Sequence, residues 1–414
     1  LIDLDFRLTY TSKGILLAKE ARMTEKLAQT LALVAKLADK FGARAGEHEK
    51  KESFPYENYA DLRQTDYLKL SIPVEYGGLG ASMGQIVRAQ ARLGEGCAST
   101  ALVVSMHLAQ IGRALDLGSW HAQAKNRIIS AVINEGALLN NAATEPATGS
   151  PSRGGVPTTN AVAQSDGTWV INGRKTFTTG SPILDFITVS AAIDRGNEKP
   201  EVANFLLTKD TPGLSIEPTW DSLFMRLSGS HDVVLENVGV PAEAYLGATP
   251  KQTPEQLACN AGWLLTTAAV YFGIGRAAAK YAVNFARNRK PNSLTGSIAE
   301  LPHIQEKIGR METTLMSAEY VLYGVADAVD RLKAGKSEMS PQELPARIGA
   351  AKFLATNKAF EAVDLAIRIV GAVGLNMSEP LQRYYRDVRA GVHNPPMDDL
   401  SMTALGKALL TDNR

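Results

Sequence analysis

Two cysteines, Cys97 and Cys259, are all that 414 residues contain. So few exclude a disulfide framework and a thiolate zinc site, and they fit a reducing compartment. The six histidines are scattered, with no pair at metal-ligand spacing, so no metal centre is expected. No excess of either charge exists: 44 Lys and Arg against 43 Asp and Glu leave a net charge of +1. That balance gives no electrostatic footing for nucleic acid or an anionic membrane. Long apolar runs are also scarce. The richest, AGWLLTTAAVYFGIG (261–275), reads as shorter than a membrane-spanning helix and runs into Arg276. Nothing reads as a signal peptide, and a cytoplasmic location with a small-molecule substrate is the expectation. GxxxxGK[ST] and HExxH are both missing, which removes the local signatures of P-loop and zincin chemistry.

What is present divides into three regions. Residues 1–137 read as an N-terminal α-helical domain. KEARMTEKLAQTLALVAKLADKFGARAGEHEKK spaces apolar residues three and four apart, and IPVEYGGLGAS (72–82) makes a tight connection between helices. GQIVRAQARLGEGCASTALVVSMHLAQIGRAL carries few charges after residue 95, so its helix is buried or lines a pocket. Residues 138–250 read as a middle antiparallel β-barrel or sandwich. Asp166-Gly167 and Asn172-Gly173 both look like hairpin signals, and DFITVSAAI, VANFLLT, GLSIEPTW and HDVVLENVGV look like short strands. Residues 251–414 read as a C-terminal four-helix bundle. Ile304, Ile308, Met311, Leu315, Ala318, Leu322, Val325, Val329 and Leu332 alternate spacings of four and three down one long helix. The fold class is therefore α+β and multidomain.

Gly273-Ile274-Gly275-Arg276-Ala277-Ala278 matches a dinucleotide fingerprint in letters, but it lies within a helical run with no preceding strand. Small residues for close helix packing explain it better. NNAATEPATGSPSRGG (140–155) instead offers hydroxyls and backbone N–H groups where helices hand over to strands.

Five collinear segments resemble the acyl-CoA dehydrogenase superfamily of flavoproteins, which also contains reduced-flavin monooxygenases. They are IPVEYGGLGAS, AATEPATGS, VINGRKTFTTG, MRLSGSHDVVLENVGVP and RIVGAVGLNMSEPLQRYYRDVR. The resemblance implies FAD between the β-domain and the C-terminal bundle, shared across a homodimer or homotetramer. It places Thr144 and Thr179 on the flavin ring, with Phe177 and Thr178 along it. Ser150 falls at the pyrophosphate and at the substrate's pantetheine arm. Arg289 falls at the pyrophosphate of a subunit-related FAD, and Gly371 and Gly374 beside the adenosine. Hydroxyls suit an uncharged ring, an arginine a dianion, and glycines a close approach. The sequence departs from the pattern at Pro151, after Arg289 and around Pro302–Gln305.

The chemistry turns on RDVRAGVHNPPMDD (386–399), where two consecutive prolines stop a helix. In the family a glutamate eight residues after RD removes the substrate's α-proton. Pro395 stands there, and at the alternative position on an earlier helix stands Leu265. Two replacements remain open. Asp398 or Asp399 supplies the carboxylate, although both also suit the start of LSMTALGKALL. Otherwise His393 acts, as in monooxygenase relatives, with His107 as a second histidine. Asn394 is the accompanying substrate contact. The expected activity is α,β-dehydrogenation of an acyl thioester, with an electron-acceptor protein as partner. The alternatives are a monooxygenase taking reduced FMN or FAD as co-substrate from a flavin reductase, and a non-catalytic flavin- or acyl-binding homologue.

Overall fold

A computed structural model describes residues 3–149, 154–196 and 199–411, with side chains from residue 24 onward. The chain opens with five helices: α1 (Asp3–Lys51), α2 (Tyr56–Arg63), α3 (Met83–Gly96), α4 (Ala98–Leu117) and α5 (Ala122–Glu135). Ser82 starts α3 with a reciprocal cap: its Oγ accepts from Gln85 N at 3.3 Å while Gln85 Oε1 accepts from Ser82 N at 2.9 Å. The next two orphan donors, Met83 N and Gly84 N, are taken at 2.6 and 2.8 Å by Asp330 from the C-terminal region. A carboxylate at that helix end is favoured by the dipole as well as by the hydrogen bonds. Most of α4 is buried, as its lack of charge requires.

Eight strands follow: β1 (Leu139–Ala142), β2 (Asn160–Ala163), β3 (Trp169–Thr178), β4 (Phe186–Ile193), β5 (Glu201–Thr208), β6 (Leu214–Glu217), β7 (His231–Val240) and β8 (Tyr245–Ala248). They form one sheet in the order β6-β7-β3-β2-β4-β5-β8, with β1 on β4. Most pairings are antiparallel, but β1 and β2 both meet β4 in parallel. Asp166-Gly167 turns β2 into β3, with Gly167 at φ +85°. Asn172-Gly173 is not a hairpin. It lies inside β3 at a register shift against β7, and a Cβ on Gly173 would sit 2.3 Å from Thr159 Oγ1. The glycine serves a close strand approach, which the dipeptide alone does not distinguish from a turn.

The chain then returns to helices: α6 (Pro254–Gly262), α7 (Leu264–Asn288), α8 (Pro302–Lys333), α9 (Leu344–Val370), α10 (Pro380–Val388) and α11 (Asp398–Thr411). Six of the nine seam positions on α8 are buried and the other three pack partly buried against the same core. In α7 a Cβ on Gly273 would meet Ala91 O at 2.2 Å, and one on Gly275 would meet Ala359 Cα at 3.0 Å. The fingerprint glycines therefore let α7 lie directly on α3 and α9. The apolar stretch is longer than its sequence suggested. Within Pro254–Asn288 an 18-residue window reaches the mean hydropathy (1.4) of a membrane-crossing helix, yet 67% of that window is buried inside the protein. Its apolar character is spent on the core shared by helices and sheet.

Candidate active site

The end of β3 and the start of the 144–149 segment are held together from beneath. Lys175 Nζ donates to Glu145 Oε1 at 2.7 Å, both side chains fully enclosed. Glu145 Oε2 accepts from Thr158 N and Thr158 Oγ1, each at 2.6 Å, and Oε1 accepts from Thr159 N at 3.0 Å. Burial pushes the Glu145 carboxyl up, but Lys175 and the threonine donors outweigh it and hold it at about 2. For Lys175 burial dominates and lowers the ammonium's pKa, against the pull of Glu145. One residue along on each side, Thr176 N donates to Thr144 O at 2.9 Å. The predicted residues Thr144, Phe177, Thr178 and Thr179 are thus gathered at one strand end.

A row of hydroxyls follows. Thr179 Oγ1 lies 3.0 Å from Ser230 Oγ, which lies 2.7 Å from Ser228 Oγ. Asn140 Nδ2 fixes the backbone by donating to Thr179 O at 2.8 Å. Thr178 Oγ1 is buried with no hydrogen-bond partner among the described residues. Phe177 takes φ +55°, a left-handed conformation costing about 1–2 kcal/mol, and its ring stays 58% exposed. Trp220 meets that ring edge-on at 5.8 Å. Hydroxyls beside an exposed aromatic face suit an uncharged heterocycle with polar edges, so these residues fit a flavin ring.

The C-terminal loop comes to the same junction through α10. Arg386 Nη2 donates to Glu49 Oε1 at 2.5 Å and its Nη1 to Leu223 O at 2.7 Å. Asp387, buried, accepts from Met225 N at 2.6 Å. Burial, with Glu49 nearby, raises the Asp387 carboxyl to about 6. The Arg-Asp pair therefore clamps α1, the 223–226 segment and α10 together. Beyond it His393 is exposed, and Asn394 Nδ2 donates to the buried Tyr271 Oη of α7. Asp398 is held by Lys352 Nζ at 3.4 Å and Asn357 Nδ2 at 2.8 Å, both on α9. Asp399 is exposed in the first turn of α11. Leu265 is fully buried and Pro395 is exposed.

His107 stands apart from this loop. Its Nδ1 accepts from Leu139 N at 3.1 Å, which leaves Nε2–H to donate to Leu68 O at 3.0 Å. Burial lowers its pKa to about 4. It is a neutral bridge between α4, β1 and the Leu68 turn, with both nitrogens engaged, so the geometry gives it a structural task rather than an acid–base one. Ser150 lies outside the described residues. Arg289 is exposed at the end of α7, and Gly371 at the end of α9, where Gly374 follows buried under Leu381. Tyr281 Oη donates to Glu379 Oε2 at 2.5 Å, tying that segment to the late turns of α7. Arg289 follows Tyr271 by 18 residues on one helix, about 27 Å at 1.5 Å per residue. Arg289 and Tyr271, which anchors Asn394, thus lie toward opposite ends of α7.

Sequence reasoning missed Glu145, Lys175, Asn140, Ser230 and Tyr271. A signal for Lys175 existed: it shares strand parity with Trp169 and Ile171, which are buried, so a lysine there needs a buried partner.

Acyl-CoA dehydrogenase N-terminal, middle and C-terminal domain models match residues 24–133, 140–238 and 265–394. YdbM of Bacillus subtilis (strain 168), named for the acyl-CoA dehydrogenases, is 43% identical over 90% of this chain and 94% of its own. A 3-(aryl)acrylate reductase of Clostridium sporogenes (strain ATCC 15579) is 30% identical over 86% of this chain and 92% of its own. The crystal structure of FMN-bound TdsC from Paenibacillus sp. A11-2 superposes with a TM-score of 0.81 at 25% identity, covering 92% of this chain and 97% of that one. The chain belongs to the acyl-CoA dehydrogenase family, whose cofactor is FAD.

Proposed function

We propose that this flavoprotein is a monooxygenase working on reduced flavin and dioxygen, with His393 as its acid–base group. The observation that carries this reading is the lack of a carboxylate where α-proton abstraction needs one. Leu265 is apolar and fully buried, Pro395 has no ionisable group, and Asp398 is committed to Lys352 and Asn357. A flavin bound in reduced form supplies the two electrons that activate dioxygen; one oxygen atom enters the substrate and the other leaves as water. The Thr178 and Thr179 hydroxyls would hold such a ring by hydrogen bonds, and Phe177 with Trp220 would supply an apolar surface beside it. His393 adjoins Asn394, which Tyr271 pins, and an imidazole can both accept and donate a proton. TdsC, a dibenzothiophene monooxygenase crystallised with FMN, supports the reading by likeness.

The name of the 43% identical relative favours a second reading, dehydrogenation of an acyl thioester with Asp399 as base. One experiment separates them. Protein loaded with oxidised flavin is mixed anaerobically with butyryl-CoA, and in parallel reduced FMN is reoxidised by air with and without the protein. The monooxygenase reading expects no bleaching by the thioester. It also expects a reoxidation rate that the protein alters and that His393→Ala shifts at least about tenfold. Bleaching that Asp399→Asn abolishes and His393→Ala leaves intact would replace it with the dehydrogenase.

A further inference from the structure

A second feature lies between α4 and the sheet. A cavity of about 310 Å³ is lined by polar, uncharged side chains, among them Gln110, Asn141, Asn204 and Asn260, together with Trp120 and one cation, Arg113. It adjoins the flavin-side segment through Ala143, Thr148 and Gly149.

Among the described residues Arg113 has no counter-charge. Its Nε is buried with no hydrogen-bond partner, and no ion pair reaches it among the described residues. Asp116, one helical turn on, is already engaged by Trp263 Nε1 at 2.8 Å and Lys333 Nζ at 2.7 Å. Burial alone acts on the guanidinium and lowers its pKa to about 10, so it remains charged at neutral pH. Across the cavity Asn260 Oδ1 is likewise buried without a partner. Arg113 is half-buried, with its Nε enclosed and unpartnered at the cavity wall, so part of the guanidinium has given up water for no protein acceptor. Groups so placed are kept where a ligand completes them.

We propose that Arg113 is a substrate-specificity residue that receives an oxyanion of the substrate, through the paired N–H donors that fit a carboxylate or a phosphate. Calling that ligand the substrate rests on the flavin reading above; the oxyanion site itself does not. Two sources share this chemistry: the phosphates of a nucleotide-borne carrier, or a carboxylate on the substrate itself.

The test is thermal unfolding and tryptophan fluorescence of the whole protein, titrated in two matched pairs. Coenzyme A is compared with pantetheine, and glutarate with glutaramide. The expected result is that coenzyme A or glutarate raises the melting temperature while its neutral counterpart does not; which pair responds identifies the source. Arg113→Met is expected to weaken that binding about ten- to hundredfold, the loss of one or two charge-assisted hydrogen bonds. It should also melt no lower than wild type without ligand, since it removes a half-buried guanidinium whose Nε has no acceptor. Arg113→Lys keeps the charge but loses the fork, and should bind at intermediate strength even if Arg113→Met does not fold. The proposal is overturned if charged and neutral members act alike, or if binding survives in both variants. It is equally overturned if Arg113→Met folds but melts well below wild type. Flavin uptake is read on the same samples by absorbance. Oxyanion binding without flavin uptake sinks the function proposed above and leaves this site standing, and flavin uptake without oxyanion preference does the reverse.

Discussion

At the scale of single residues, Glu145 and Lys175 set how well the flavin-side segment is placed. Removing one partner of an enclosed pair strands the other charge, so Glu145→Gln should cost about 3–5 kcal/mol in urea unfolding. A Glu145→Leu, Lys175→Met double variant should recover part of that loss, and a double variant worse than the sum of the singles would contradict the pairing. The pH dependence has a definite sign. Folding lowers the Glu145 pKa from 4.5 to about 2, so its contribution is complete above 4.5 and drains away as pH falls toward 2. This pair shows what sequence conceals. The two residues lie 30 positions apart, and strand parity predicts that Lys175 points inward without saying which carboxylate meets it. Arg113 is harder still, because a missing partner is a property of three-dimensional surroundings that no local pattern encodes.

Among elements, α10 is a clamp, since its Arg386 and Asp387 tie three parts of the chain together. Folding raises Asp387 from 3.8 to about 6, so the folded state holds a proton that the unfolded chain has released. Stability from this group therefore declines as pH rises from about 4 to about 6 and is level above. Asp387→Asn keeps an acceptor for Met225 N and should flatten that segment of a stability–pH curve, whereas an unchanged slope would remove Asp387 as its cause. The α7–α3 contact gives a second expectation at this scale. Gly273→Ala places a methyl 2.2 Å from a backbone oxygen that cannot rotate away, so the helices must separate, at a cost of about 1–3 kcal/mol in denaturant unfolding. Helices of this kind were legible from sequence because their periodicity is local. The α8 seam needed only spacings of three and four. Asn172-Gly173 misled for the converse reason: the dipeptide advertises unusual backbone freedom, and only the neighbouring Thr159 shows what that freedom is for.

For the molecule as a whole, the predicted cofactor residues fall into two groups. Thr144, Phe177, Thr178 and Thr179 share the end of β3, while Arg289 ends α7 and Gly371 and Gly374 follow α9. The family resemblance implies one extended dinucleotide shared by two copies of the chain, and this separation suits that arrangement. The 373–377 segment carries exposed apolar side chains, Val373, Leu375 and Met377, suited to such a contact. A Leu375→Asp, Met377→Asp variant is expected to run as a monomer in light scattering and to lose flavin affinity together. A variant that stays associated would place the interface elsewhere.

The central claim, a flavin ring seated against the Thr178–Thr179 hydroxyls, is tested most directly by anaerobic equilibrium dialysis of oxidised and reduced FAD and FMN against wild type and Thr179→Val. The account predicts saturable uptake with one flavin per chain, tighter for the reduced form, and weakened about tenfold in the variant by loss of a single hydrogen bond. Failure of wild type to take up any of the four flavins, or equal uptake by the variant, would contradict it.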